Sequence, residues 1–308
     1  MSGKLVSAMR RTITKHILST TGEPSNSAEK VIELSQPSTD ALRQAESAAK
    51  RIRKRAAPVR RAFIKGVKDR AAPLWQIMQG GGSVRLKLYL SLLWVAGGEP
   101  FKTDFPAYRW AALLALPHTE ATGARRVNDA LSQLAKLRLL RLERQPGMPT
   151  VTFVLDDGGQ GVEYKHPAKV NQAYVRLPST FWTNGWLAGM SGIAIAIFLV
   201  LRDCQDYKSP NKPVWVTPAL ARDRYGFSAD SWTRGVAELK RLGLIQVRRK
   251  SVNPNDFDFT RVRNTYIVNQ ERITSTTYGD ARAEAEDLAK DDDEEKLGSK
   301  HEGRGQQK

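Results

Sequence analysis

The feature that most constrains this chain is a hydrophobic pattern that occurs twice, 105 positions apart. Val127, Leu131, Leu134 and Leu137 recur as Trp232, Val236, Leu239 and Leu242. Both sets follow i, i+4, i+7, i+10, which puts four apolar side chains on one face of an α-helix. The same offset continues past the helix, where Leu140 and Leu142 correspond to Ile245 and Val247. There the spacing drops to two, the period of a strand with one buried face. A helix that runs directly into a strand, twice, at this separation predicts two paired domains rather than a solenoid of short repeats.

The residues around each copy repeat as well. "SVRLKLYLSLLWVAGG", Ser83 to Gly98, reads as a helix with Leu86, Leu90 and Leu93 at core spacing, ended by Gly-Gly. "AYRWAALLALP" is a shorter helix that stops before Pro117, and "TEATGARRVNDALSQLAKLRLL" is a third. "RLERQPGMPTVTFVL" then gives a strand, a Pro-Gly turn and a β-branched strand. In the second copy "LAGMSGIAIAIFLVLRDC", "TPALARDRYG" and "SADSWTRGVAELKRLG" are the three helices, the last opened by Ser and closed by Gly243. "LIQVRRK" and "FTRVRNTYIVN" are its strands. The fold class expected is mainly α with small β-hairpins. The apolar run from Trp186 to Leu201 is 16 residues, short of the roughly 18–20 that span a bilayer, so it reads as one buried helix.

Charge narrows the partners. Forty-nine Lys and Arg against 32 Asp and Glu leave +17, which attracts polyanions, nucleic acid first. Residues 1–45 are polar and predict a disordered N-terminal region without a secretory signal. Residues 46–78 predict a basic helical arm or linker. Its run from Lys50 to Arg70 includes Arg51, Arg53, Lys54, Arg55, Arg60 and Arg61 and holds ten Lys or Arg against one Asp. Such a segment suits DNA backbone or minor-groove contact, or a solvated helix leading into the first domain. Residues 79–165 and 166–272 are the two domains, and 273–308 predict a disordered acidic tail.

Catalytic signatures do not emerge. No Gly-Lys-Ser/Thr occurs, so there is no usual phosphate-cradling loop, and "GGGSV" reads as a linker. His16, His118, His166 and His301 do not pair at metal-ligand spacing, and the single cysteine, Cys204, excludes an intramolecular disulfide and a zinc finger. Cys204 lies in an apolar run and reads as an inert buried thiol of a reducing cytoplasm. Asp156 and Asp157 read as an exposed turn. The expectation is a protein that is not an enzyme and uses no cofactor or metal.

The third helices carry the candidate contacts. With Val127 inward, Arg125, Asp129, Ser132 and Lys136 face outward, flanked by Arg126 and Asn128. In the second copy Asp230, Arg234 and Arg241 face outward, with Ser231 and Thr233 on the flanks. Arg can pair with guanine and Asn with adenine in the major groove, so Arg125, Arg126, Asn128, Ser231, Thr233 and Arg234 are the candidate base readers. Arg241 is a further contact. Arg141 and Arg144 start the first hairpin, whereas Arg248, Arg249, Lys250, Arg261 and Arg263 cluster in the second. Phosphate contact needs charge without strict geometry, so the second domain is expected to be the main DNA reader.

Helix–helix–helix–hairpin is the winged-helix order. Over residues 83–155 and 177–268 the chain resembles tandem winged-helix DNA-binding proteins. Its architecture is similar to plasmid replication initiators that bind repeated origin sequences. "RLPSTFWTNGWLAGMSGIAIAIFLVL" and "TPALARDRYGFSADSWTRGVAELKRLGLIQV" also resemble helix-turn-helix proteins of plasmids and phages. The resemblance implies double-stranded DNA binding in the bacterial cytoplasm or nucleoid, with host replication proteins as partners and no membrane. The first domain is left two roles, DNA contact or homodimer formation. Two alternatives stay open: a transcriptional repressor or partition regulator on an operator, and a protein-interaction scaffold built from winged helices.

Overall fold

The computed structural model describes Leu34, Ser209 and residues 36–52, 56–66, 71–156, 158–205, 211–251 and 262–302. From Leu34 onward the chain gathers into one compact unit in which helices dominate and three small antiparallel sheets join them. The first copy consists of α4 (Ser83–Val95), β2 (Lys102–Thr103), α5 (Ala107–Leu113), α6 (Ala124–Lys136), β3 (Leu140–Glu143) and β4 (Val151–Val154). The second consists of α9 (Gly192–Cys204), α10 (Pro218–Tyr225), α11 (Ala229–Arg241), β6 (Ile245–Ser251) and β7 (Val262–Val268). Before the first copy lie α1 (Thr39–Arg51), β1 (Ala56–Arg60), α2 (Arg61–Lys65) and α3 (Pro73–Met78). Between the copies lie β5 (Tyr174–Pro178) and two one-turn helices, α7 (Thr180–Thr183) and α8 (Trp186–Gly189). After the second come α12 (Arg272–Ser275) and α13 (Tyr278–Glu302).

The repeat extends to strand register. Leu140 faces Val154 and Leu142 faces Thr152 in one hairpin; Ile245 faces Val268 and Val247 faces Tyr266 in the other. Thr152 is joined on its far side by Thr103 of β2, and Tyr266 by Val214. In both copies, then, the segment between the first two helices adds to the hairpin at the same position. Both third helices are 13 residues long, and their apolar faces close the cores. Trp232 also donates from its indole nitrogen to the Tyr266 hydroxyl, 3.2 Å away. Gly235 sets how close α11 comes to α9: a methyl group there would sit 2.5 Å from Ile197 Cδ1. Val236, next to it, is half-buried.

The expected boundary between residues 165 and 166 is crossed by a shared core. The first helices, α4 and α9, pack on each other. Trp94 stacks on Trp182 at 4.6 Å, and the Trp182 indole donates to the Ser91 hydroxyl at 3.0 Å. Lys87 on α4 donates to the Ala188 carbonyl at 2.9 Å. Beside it Glu238 of α11 accepts from the Ser191 amide (2.7 Å) and hydroxyl (2.5 Å), while that hydroxyl caps α9 by accepting from the Ala194 amide. Burial lowers the Lys87 ammonium to about 8 against the attraction of Glu238. Burial also pushes Glu238 up, against its bonds from Ser191.

Four expectations are corrected. The apolar run from Trp186 is not one helix, because it breaks at Met190 and restarts after the Ser191 cap. The acidic tail is helical from Tyr278 and packs at its start, where Tyr278 and Ala281 are buried and the Tyr278 amide donates to the Asn184 carbonyl at 2.8 Å. Within the N-terminal region expected to lack structure, α1 begins at Thr39, capped by Ser38, and buries Ala41, Ala45 and Ala48. Residues 1–33 lie outside the described residues, as does Asp157. The basic 46–78 segment is not a free arm: β1 pairs with β5 from Ala56–Pro178 to Arg60–Tyr174, building the segment into the fold. No helix among the described residues is long and apolar enough to cross a membrane.

Candidate nucleic-acid interface

The start of α6 is exposed and basic. Arg125, Arg126 and Asn128 are exposed, and the first turn has neither a carboxylate nor a side-chain cap. A π-helical turn, Thr119–Gly123, runs directly into α6, so the positive potential here comes from the two guanidinium groups rather than from an open helix end. Ser132, one turn on, donates to the Asn128 carbonyl and accepts from Arg144 at 2.8 Å, which ties the hairpin back to the helix.

The start of α11 is built differently. Ser228 caps it by accepting from the Ser231 amide at 3.1 Å, and Asp230 lies in the first turn. Asp230 holds Arg234 at 3.0 Å, one helical turn away. An exposed i,i+4 pair of this kind is worth only about 0.3–0.5 kcal/mol, so Arg234 can leave it for a stronger partner. Thr233 is exposed, although its hydroxyl donates to the Ala229 carbonyl at 2.9 Å. Ser231 is half-buried, and Arg241 is half-buried at the opposite end of the helix, away from the other candidates.

Hairpin register sorts the remaining cations. Residues directly opposite share a face, so Arg248 with Thr265 and Lys250 with Arg263 lie on the outer face of the second hairpin. Arg249 with Asn264 lies on the inner face, beyond the buried Ile245 and Tyr266 and the half-buried Val247 on the side that meets α11. The sequence cluster is thus two surfaces. On the first sheet the outer face carries Arg141 over the Phe153 ring at 3.9 Å and Lys102 over the same ring at 5.8 Å. Glu143 pairs with Arg141 there and offsets its charge.

Two members of the expected arm are removed from the interface. Arg60 is buried, bound to Asp156 and the Lys165 carbonyl, with its guanidinium over the Tyr164 ring at 4.9 Å. A guanidinium taken out of water needs such partners, and Asp156, read from sequence as an exposed turn, is one of them. Arg61 binds Asp203 through Nε at 2.6 Å and the Asp203 carbonyl at 2.9 Å. Arg51 is exposed at the end of α1. Arg53, Lys54, Arg55 and Arg261 lie outside the described residues.

Two surface residues escaped the sequence reading, Lys102 and Trp215. Trp215 is 48% exposed between the buried Val214 and Val216. The alternation in "VWV" was the available signal, but the segment was too short to stand out as a strand. Compared with known proteins, the chain matches no family model, no curated protein and no solved structure.

Proposed function

We propose that the protein binds double-stranded DNA through two winged-helix modules and acts, without catalysis, as a plasmid or phage replication initiator at repeated origin sites. The observation that carries this reading is the matched geometry of the two copies. In each, a 13-residue third helix with an exposed polar start runs into a hairpin joined at the same register by the segment between the first two helices. A helix of this kind fits the major groove, with its N-terminal half at the base edges.

On this reading Arg125, Arg126 and Asn128 face one part of the site, and Thr233 and Arg234 another. Arg248, Arg249, Lys250 and Arg263 neutralise phosphates. Because the modules share a core, one chain presents both readers at a fixed spacing and covers a long site. The initiator role rests on the resemblance of this tandem arrangement to origin-binding proteins.

Selection of bound sequences from a random duplex pool tests the proposal. A motif in two parts, recurring as direct repeats near a replicon's origin, supports it. A motif confined to one site beside a promoter moves the protein to repressor, and no enriched motif removes sequence-specific DNA binding.

A further inference from the structure

Val214 bridges to Tyr266, and strand alternation sends the next side chain to the other side of the sheet. Val214 is therefore buried, and the Trp215 indole stands on the outer face, away from α11. Arg263 lies over that ring at 4.8 Å, and its buried Nε has no hydrogen-bond partner among the described residues. Arg248 and Lys250 share this face with Arg263. No carboxylate occupies its described strand positions, which are Gln246, Arg248, Lys250, Arg263, Thr265 and Ile267. Beside the ring is a concavity of about 210 Å³ lined by Cys204, Lys212, Pro213, Val214 and Trp215.

A half-exposed indole with Arg263 over one side and, among the described residues of its face, cations and no carboxylate suits a ligand that is flat and carries negative charge. A nucleotide base joined to phosphates has both properties, and aromatic stacking with a basic groove is how single strands are bound. A paired base offers only its edge, so stacking here requires an unpaired strand. An apolar protein partner would instead leave Arg248, Lys250, Lys212 and Arg263 without counter-charge.

We infer that the outer face of the second hairpin is a stacking platform for unpaired nucleic acid, with a base on Trp215 and phosphates on Lys212, Arg248, Lys250 and Arg263. It lies on the opposite face of the hairpin from α11 and does not depend on the duplex reading. Arg248, Lys250 and Arg263 also serve the proposed duplex contact, so the two ligands would compete for this face and Trp215 is the residue that distinguishes them.

The test uses the full chain, a fluorescent oligodeoxythymidylate, a random-sequence duplex and binding followed by anisotropy. Trp215→Ala should weaken oligonucleotide binding by about fivefold or more, the lower end for loss of one stacked base, and change duplex binding by less than about twofold. Trp215→Phe should recover most of the loss. The ratio between wild type and Trp215→Ala should persist as salt rises, because stacking releases no counterions. Equal loss on both probes, or oligonucleotide affinity within about twofold of wild type, overturns the inference and leaves Trp215 to a protein partner. A wild-type chain that binds duplex but not the oligonucleotide overturns the platform alone. One that binds the oligonucleotide but selects no duplex site overturns the duplex reading alone.

Discussion

The two copies share helix length, strand register and core, yet place their charge in different parts. The first concentrates it at the helix: Arg125 and Arg126 open α6 with no carboxylate in its first turn, while its sheet is balanced by Glu143 and its Phe153 ring is covered by Arg141 and Lys102. The second moves it to the hairpin. There α11 starts with a cap and Asp230, its Arg234 is paired, and Arg248, Arg249, Lys250 and Arg263 load both faces of the strands. A repeated backbone fixes where a helix and hairpin stand, and the side chains decide which of them meets the ligand. The first copy is the better candidate for groove contact and the second for long-range attraction, which divides a role that sequence reasoning assigned mainly to the second.

Each way of disturbing this division has an expected size. The largest concerns the strap formed by β1 and α2, where adjacent arginines reach in two directions: Arg60 to Asp156, just past β4, and Arg61 to Asp203 of α9. Arg60→Ala removes a buried guanidinium and leaves the half-buried Asp156 carboxylate without it, and should cost about 3 kcal/mol in chemical denaturation. Arg61→Ala removes a half-exposed guanidinium but strands the buried Asp203 carboxylate, and should cost about 2–3 kcal/mol. A loss below about 1 kcal/mol in either variant would mean that its carboxylate finds water instead.

The junction supplies the next effect. Lys87 titrates near 8 in the folded protein against an ordinary 10.5. Between those values the unfolded chain binds more protons, so stability should rise with pH through the window, and the burial penalty is complete below about pH 8. In Lys87→Met this component is absent. The stability difference between the two proteins should therefore change by on the order of 3 kcal/mol across the window. A constant difference would mean that Lys87 is well hydrated.

These features also mark where sequence reasoning ran out. The third helices and both hairpins were legible because their patterns are local: apolar spacing of three or four, then two, bounded by Gly and Pro. The strap was not, because the partners of Arg60 and Arg61 lie 96 and 142 positions away, and a basic run with no near carboxylate resembles a solvated arm. Glu238 could not be placed from sequence, because nothing in α11 signals the Ser191 cap it meets. At the candidate site, exposure of Arg125, Arg126, Asn128 and Arg234 followed from helical periodicity. The Asp230 pairing and the separation of Arg249 from Arg248 and Lys250 needed side-chain geometry and register.

A smaller effect compares the helix ends. On a selected site Arg125→Ala should lose about 1 kcal/mol or slightly more, the low end for a base contact. Arg234→Ala should lose less, because Arg234 must first give up Asp230. Competition binding with base-substituted sites would detect both, and equal losses on every sequence would make either residue a phosphate contact.

The most direct measurement is duplex affinity against salt for three proteins: wild type, the triple variant Arg248→Ala, Arg249→Ala, Lys250→Ala, and the double variant Lys102→Ala, Arg141→Ala. Logarithmic affinity should fall linearly with logarithmic salt, by about 0.9 per phosphate contact. The triple variant should lose about 2–3 from that slope and the double variant less than about 1. A flat response in wild type, or equal changes in the two variants, would contradict a DNA-binding protein whose second hairpin makes the main electrostatic contact.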